Sequence, residues 1–219
     1  MIRIPALSTA FLVFFGFSLA KGLWLPQVSA TSIWATDVFA FIVLPTLLVL
    51  FLSERGVRIA TLLSTRPQAR NTHGLTLFLG CIVLLSIGVV YPVVLRMARH
   101  WVGQGWWPLV NYGAMVPSNG IWRVGALAYL ALSAGVVEEF FYRGVVYRLL
   151  APIETTFRKA TFVLGSAALF AAIHWATGLA NVVATFIVGL MMACWYLHLR
   201  TIVPLVLAHA ALDIILFAK

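Results

Sequence analysis

Six ionisable side chains stand inside apolar runs of this 219-residue sequence: Glu138, Glu139, Arg143, His174, His209 and Asp213. An Asp, Lys or Arg at the middle of a membrane helix costs about 2.5–3.5 kcal/mol before it finds a partner. The chain has only six acidic residues, and three of them lie where they cost most. Such groups are functional candidates by default, with structural pairing as the rival reading. On a helix Glu139 and Arg143 share a face four residues apart, in the order that favours an ion pair, which gives them a supporting role. Glu138 points about 100° away and has no partner of that kind. Two adjacent carboxylates in a low dielectric are a means of keeping one group ready for proton transfer.

His174 closes the run Phe170-Ala171-Ala172-Ile173-His174, with Phe170 one turn earlier on the same face. Taken alone, it reads as a packing histidine. His209 and Asp213 are again four apart. That pair could orient an imidazole, bind a metal, or offer hydrogen bonds to an oxyanion. If three helices converge, a carboxylate, an imidazole and donors on the far side are the inventory for general-base activation of water with oxyanion stabilisation. The sequence has no GxSxG elbow, no HExxH zinc helix and no glycine-rich phosphate loop. Ser133 precedes the glutamates by little more than one turn, but nothing marks it as a nucleophile. His73, His100 and His198 fall in gaps or at a run's end and read as interfacial.

The elements that must position these residues are membrane helices. Hydrophobic residues make up 63% of the chain and charged residues 10%; globular domains average roughly 45–50% and 25%. A globule of this size cannot hide so much apolar surface, so the surplus faces lipid. About seven spans of about 20 residues account for it. Apolar runs cover 6–20, 38–52, 75–95, 124–150, 161–175, 179–199 and 202–217. The first, with its basic start and Ser18-Leu19-Ala20, could be a signal peptide; a first membrane helix ending near Trp24 is the favoured reading. Pro45 is expected as a kink in the second run. Residues 54–74 read as a polar loop with Arg55, Arg58, Arg66, Pro67 and Arg70 and an interfacial helix over Val57 to Leu63. Residues 96–123, with Trp101, Trp106 and Trp107, suit the headgroup region. The expectation is an all-α polytopic membrane bundle, a single domain: N-terminal helices and interfacial loops over 1–120, and a catalytic core over 121–219.

The net charge of +9 would suggest nucleic acid in a soluble chain. Here the arginines sit in short gaps and read as a topology signal, with no nucleic-acid partner expected. Arg3, Arg55, Arg58, Arg66, Arg70, Arg148, Arg158, Lys159 and Arg200 fall on one side; Lys21, Arg96, Arg99, Arg123 and Lys219 fall on the other. The positive-inside rule then puts the N-terminus in the cytoplasm, in what looks like a prokaryotic cell membrane. Cys81 and Cys194 lie within apolar runs and read as packing residues.

Glu138-Glu139-xxx-Arg143, Phe170-xxx-His174 and His209-xxx-Asp213, in this order on separate apolar runs, resemble the three-motif signature of the CPBP family. These are the CAAX prenyl endopeptidases and bacteriocin-processing enzymes, also called the Abi family of intramembrane proteases. The resemblance covers about residues 121–217. It implies an endopeptidase in which Glu138, assisted by His174, activates water. His209 and Asp213 stabilise the oxyanion, and Glu139 and Arg143 support the site. Position 213 is Asp where the prenyl-protein enzymes have Asn, so Asp213 must be protonated to donate or must orient His209.

Family members are described both with and without a metal. Glu138, His174 and His209 are the alternative Zn²⁺ ligands. The metal-free reading is preferred because Asp213 and Glu139 offer local partners that require no ion. The implied substrate is a membrane protein or lipidated peptide: a CAAX-like tail, a leader peptide or a C-terminal sorting tail. The rivals are a non-catalytic immunity or scaffold protein and a small proton-coupled transporter. The sequence shows neither the repeats nor the broken midplane helices usual in the latter. Depth arithmetic adds one condition: a straight fifth helix starting at Thr161 would leave Glu138 and His174 about 10 Å apart in depth.

Overall fold

Backbone groups in lipid have no water to bond to, so apolar runs must satisfy them internally as helices. The computed structural model describes residues 4–25, 29–65, 73–102, 110 and 112–218. The expectations for Arg3, Arg66, Pro67, Arg70, Trp106, Trp107 and Lys219, and for the side chain of His73, fall outside the described residues. The described helices are α1 (Ile4–Ala20), α2 (Ala30–Val38), α3 (Leu44–Glu54), α4 (Ala60–Leu63), α5 (His73–Val102), α6 (Gly120–Glu139), α7 (Val146–Leu150), α8 (Thr156–Ala172), α9 (Leu179–Leu199) and α10 (Val203–Phe217). Among the described residues there is no strand, only an isolated bridge between Ser64 and Thr201.

Among the described residues five helical stretches are long and apolar enough to cross a membrane: Ile4–Leu23, Thr31–Glu54, Gly74–Val102, Gly120–Leu150 and Leu179–Leu199. Val203–Phe217 is a shorter apolar helix, and α8 has 17 residues with Arg158 and Lys159 in its first turn. The chain is thus an all-α, multi-pass membrane bundle, and five of the seven expected spans meet that measure. Leu12, Leu77, Phe78, Leu85 and Val89 are exposed on the outside of the bundle, as lipid-facing residues must be. Cys81 and Cys194 are free and exposed, which corrects their reading as packing residues: each falls on the outward face of its helix.

Helix boundaries differ from the apolar runs where polar chemistry decides them. The second run is entered at α2, whose Ser29 cap accepts a hydrogen bond from the Ser32 amide at 3.3 Å. α2 passes into α3 through a π-helical turn, Phe39–Val43, in which the Leu44 amide reaches back five residues to the Phe39 carbonyl. The turn directly precedes Pro45. A proline ring clashes with the carbonyl four residues back, and the wider turn relieves that. α8 starts at Thr156, five residues before the expected 161, because Thr155 accepts from the Arg158 amide at 3.2 Å. It also ends earlier, at Ala172.

One buried core runs through the bundle, from Leu7, Phe11 and Phe14 in α1 to Leu205 and Leu212 in α10. Phe14 stacks on Phe141 with ring centres 4.1 Å apart. The first apolar run is therefore packed into the same core as the motif helices. Alternate connections gather at opposite ends. At one end Arg148 donates to the Thr61 carbonyl at 2.7 Å, and Arg200 donates to Glu154 Oε1 and Oε2 at 2.6 and 2.7 Å. At the other end Trp175 Nε1 donates to the Leu19 carbonyl at 2.9 Å, and Arg123 donates to the Ala218 carbonyl at 2.7 Å.

Glu154 lies in the α7–α8 connection, and the Arg200 guanidinium, with help from the Tyr147 hydroxyl, lowers its carboxyl to about 2. A depressed carboxyl contributes stability above its unfolded value and loses it as pH falls through the folded value. Solvent screening limits the pair to about 1 kcal/mol. Glu154→Gln is therefore expected to lower the melting temperature in detergent by a few degrees at neutral pH, with the gap to the parent closing as pH approaches about 2.

Candidate active site

α6 and α10 approach closely enough for side chains on one to reach across the other. A Cβ on Gly135 would lie 3.2 Å from the Val206 carbonyl and 3.3 Å from the Ala210 nitrogen, so this crossing needs a residue without a side chain. One turn beyond Gly135, α6 presents Glu138 and Glu139; opposite them α10 presents His209. The imidazole fits between the two carboxylates. Its Nδ1 donates to Glu139 Oε1 at 2.9 Å, while its Nε2 faces Glu138 Oε2 at 3.7 Å. Neighbouring glutamates about 100° apart thus both reach one ring, because each meets a different nitrogen.

Glu139 and Arg143 form the expected pair: Arg143 Nη1 donates to the same Oε1 at 3.0 Å, and both side chains are fully buried. Glu139 is more than an ion-pair partner. It joins Arg143 on its own helix to His209 on another, so it positions the imidazole. The helix widens after it into a π-helical turn, Phe140–Val145. Such turns occur often at functional sites.

His174 stands where α8 has already ended. Its amide bonds to the Ala171 carbonyl at 3.0 Å, and its Nδ1 donates to the Phe170 carbonyl at 2.8 Å. A ring that donates from Nδ1 keeps a lone pair on Nε2. Non-helical backbone at this depth is tolerated where it lines a polar cavity. The early end of α8 meets the depth condition: Glu138, Glu139, His174, His209 and Asp213 line one cavity of about 190 Å³.

Asp213 Oδ2 is 3.7 Å from His209 Nε2. Asp213 therefore does not hold Nδ1, which Glu139 already occupies; it faces the nitrogen turned towards the cavity. Ser133 is buried and donates to the Leu130 carbonyl at 3.3 Å, away from the cavity. Cys81 and Cys194 are exposed, as is His198.

Phe170, read from the sequence only as the motif partner of His174, has a wider role, and several further residues of the site escaped the sequence reading. Phe170 lies at the centre of the polar group, with the Arg143 guanidinium 4.6 Å over its ring and the rings of His174 and His209 at 4.8 and 6.0 Å. Tyr91 donates to Asn181 Oδ1 at 2.6 Å, Asn181 Nδ2 to Thr177 Oγ1 at 2.5 Å, and Thr177 Oγ1 to the His174 carbonyl at 2.6 Å. This chain ties the His174 turn to α5 and α9. Uncharged Tyr, Asn and Thr give no hydropathy signal. Lys21 and Asp37 also line the cavity. Asp37 falls one residue before the apolar run that begins at Val38, and Lys21 one residue after a run ends.

Among the described residues no group of three or more His, Cys, Asp or Glu side chains is arranged to hold a metal ion. Glu138, His174 and His209 form no such group among the described residues.

Removing one partner of a buried pair strands the other. Arg143→Met is expected to destabilise the protein by about 3–5 kcal/mol, and Glu139→Gln with Arg143→Met to recover part of that loss in thermal unfolding. Gly135→Val, which wedges α6 from α10, is expected to cost about 1–3 kcal/mol in the same measurement.

Residues 120–215 match the family described as Type II CAAX prenyl endopeptidase Rce1-like. Comparison with curated proteins gives no match, and neither does comparison with solved structures. The matched segment holds Glu138, Glu139, Arg143, His174, His209 and Asp213, and leaves α1 to α5 outside it. Over residues 120–215 the chain is therefore similar to the Rce1-like family, in the segment that carries the three motifs read from the sequence.

Proposed function

We propose that the protein is a glutamic-type intramembrane endopeptidase, with Glu138 as the base that activates water. One observation carries this reading: the His209 imidazole lies between Glu139 and Glu138 in a cavity that His174 also lines. A water held by the Glu138 carboxylate and by the lone pair on His174 Nε2 loses a proton to Glu138 as its oxygen attacks the peptide carbonyl. The carbonyl becomes a tetrahedral oxyanion. His209 Nε2, carrying a proton, donates to that oxygen, and Asp213 accepts from the same N–H before the oxyanion forms. Glu138 then returns its proton to the leaving amine as the C–N bond breaks. Glu139 keeps the ring in register through Nδ1 and stays out of the proton path.

The cavity extends from Glu138 towards the bundle end that holds Lys21, Trp175 and Thr177, opposite the end that holds Arg148 and Arg200. With the arginine-rich end in the cytoplasm, as the positive-inside rule has it, the cavity lies nearer the outer face of the membrane. That placement favours a C-terminal sorting tail among the candidate substrates. Water reaches the carboxylates past Thr177, Asn181 and Thr185, which line the same cavity.

The test is cleavage of a membrane-anchored reporter bearing an apolar C-terminal tail helix. Glu138→Gln is expected to lower turnover by about 10²–10⁴-fold with the melting temperature within a few degrees of the parent. Full turnover by Glu138→Gln would remove the mechanism. A parent protein that cleaves no tail, CAAX-like peptide or leader would favour a non-catalytic scaffold.

A further inference from the structure

Two charged side chains that the mechanism does not use line the same cavity, and both lie outside the Rce1-like segment. Lys21 is 7% exposed and Asp37 is 4% exposed. Lys21 Nζ lies 4.5 Å from the centre of the Phe41 ring and 5.9 Å from that of Tyr112. Asp37 and Phe41 are four apart along α2 and the π-helical turn that continues it. The carboxylate therefore shares a wall with the ring beneath the ammonium.

The two charges attract, yet Lys21 makes no ion pair with any described carboxylate. Asp37 Oδ2 is buried without a hydrogen bond, although the Tyr129 hydroxyl interacts with the same carboxylate. Two buried charged groups with hydrogen-bonding capacity left over are costly to keep.

The segment that carries Lys21 is fixed against the segment that carries His174. A Cβ on Gly22 would fall 2.8 Å from the Trp175 ring, so only glycine lets the two turns meet. Trp175 Nε1 donates to the Leu19 carbonyl at 2.9 Å, and the Val110 amide donates to the Ala176 carbonyl at 3.1 Å. Lys21 thus holds a set position relative to the His174 turn, and the Asp37 helix packs on α6 through the Trp34 and Tyr129 rings, 5.6 Å apart.

We propose that Lys21 and Asp37 clamp one residue of the substrate's extended main chain, the ammonium donating to its C=O and the carboxylate accepting from its N–H. The inference rests on the endopeptidase reading and adds how the chain beside the scissile bond is held. In an extended strand the N–H and C=O of one residue point to the same side, so they satisfy both leftover capacities at once. The pair sums to zero charge, so it favours a neutral dipole over an anion; a terminal carboxylate here would gain Lys21 and be repelled by Asp37. The clamp makes the N-terminal helices part of the substrate site and reads backbone, not side chain.

The experiment uses the full chain in lipid nanodiscs, carrying Glu138→Gln so that no probe is consumed. The probes are acetyl-Leu-Ala-Leu carboxamide and the same peptide as the free acid, with binding read by tryptophan fluorescence and by thermal shift. The two peptides are expected to bind within about threefold of each other. Lys21→Met and Asp37→Asn are each expected to weaken the carboxamide by about tenfold. Lys21→Arg, which keeps the donor, is expected to bind as the parent does, and melting temperatures should agree within a few degrees. Unchanged affinity in both charge-removing variants, free acid bound more tightly by tenfold or more, or no saturable binding of either peptide would each overturn the clamp. Binding in the expected pattern by a parent chain that cleaves no reporter would sink the protease reading and leave the clamp standing. Reporter cleavage unaffected by either substitution would do the reverse.

Discussion

A histidine ring shared between adjacent glutamates of another helix constrains the whole bundle, because a 2.9 Å contact between His209 and Glu139 fixes the separation of α6 and α10 along their crossing. That separation is reached only where Gly135 removes the side chain between them. Glu139 then needs a cation that lipid cannot supply, and Arg143 supplies it from the next turn. Arg143 in turn is enclosed by Phe170, whose ring also borders both histidines. Each of these groups would be prohibitively costly alone in an apolar interior. Together they form a rigid polar cluster that leaves Glu138, His174 Nε2 and His209 Nε2 as the groups turned towards the cavity.

The separation of roles between the two glutamates follows from this arrangement. Both carboxylates are almost wholly buried, so burial does not distinguish them. Partners do. Glu139 accepts from Arg143 and His209 on one oxygen, which holds it in place and suits it to orienting work. Glu138 stands 3.7 Å from the ring nitrogen, close enough to share a small molecule with it. Electrostatic preorganisation of this kind is effective because the donors and acceptors are fixed before charge develops.

The cost of intramembrane charge made most of the site visible in the sequence. Glu138, Glu139, Arg143, His174, His209 and Asp213 stood out because apolar neighbours surround them, and helical spacing paired Glu139 with Arg143 correctly. Spacing along one helix could not show that Glu139 also holds His209, since that contact joins residues 70 positions apart. Nor could it show that α8 ends before His174, because the run Phe170 to Ile173 is apolar up to the histidine and the local bonds of Thr177 and Asn181 that hold the break are anchored by Tyr91, 90 positions away. Lys21 and Asp37 escaped for a simpler reason. They lie at run edges, where a charge ordinarily meets water, and only the packed turn of Gly22 against Trp175 buries Lys21 beside the cavity.

The central claim is that His209 is held by Glu139 on one nitrogen and turned to Glu138 with the other. Nitrogen NMR of the chain in lipid, with labelled histidine, reads both ring atoms of that residue separately. Glu139→Gln is expected to move the Nδ1 resonance of His209, and Glu138→Gln its Nε2 resonance. If neither resonance responds to either substitution, the imidazole does not sit between the two carboxylates.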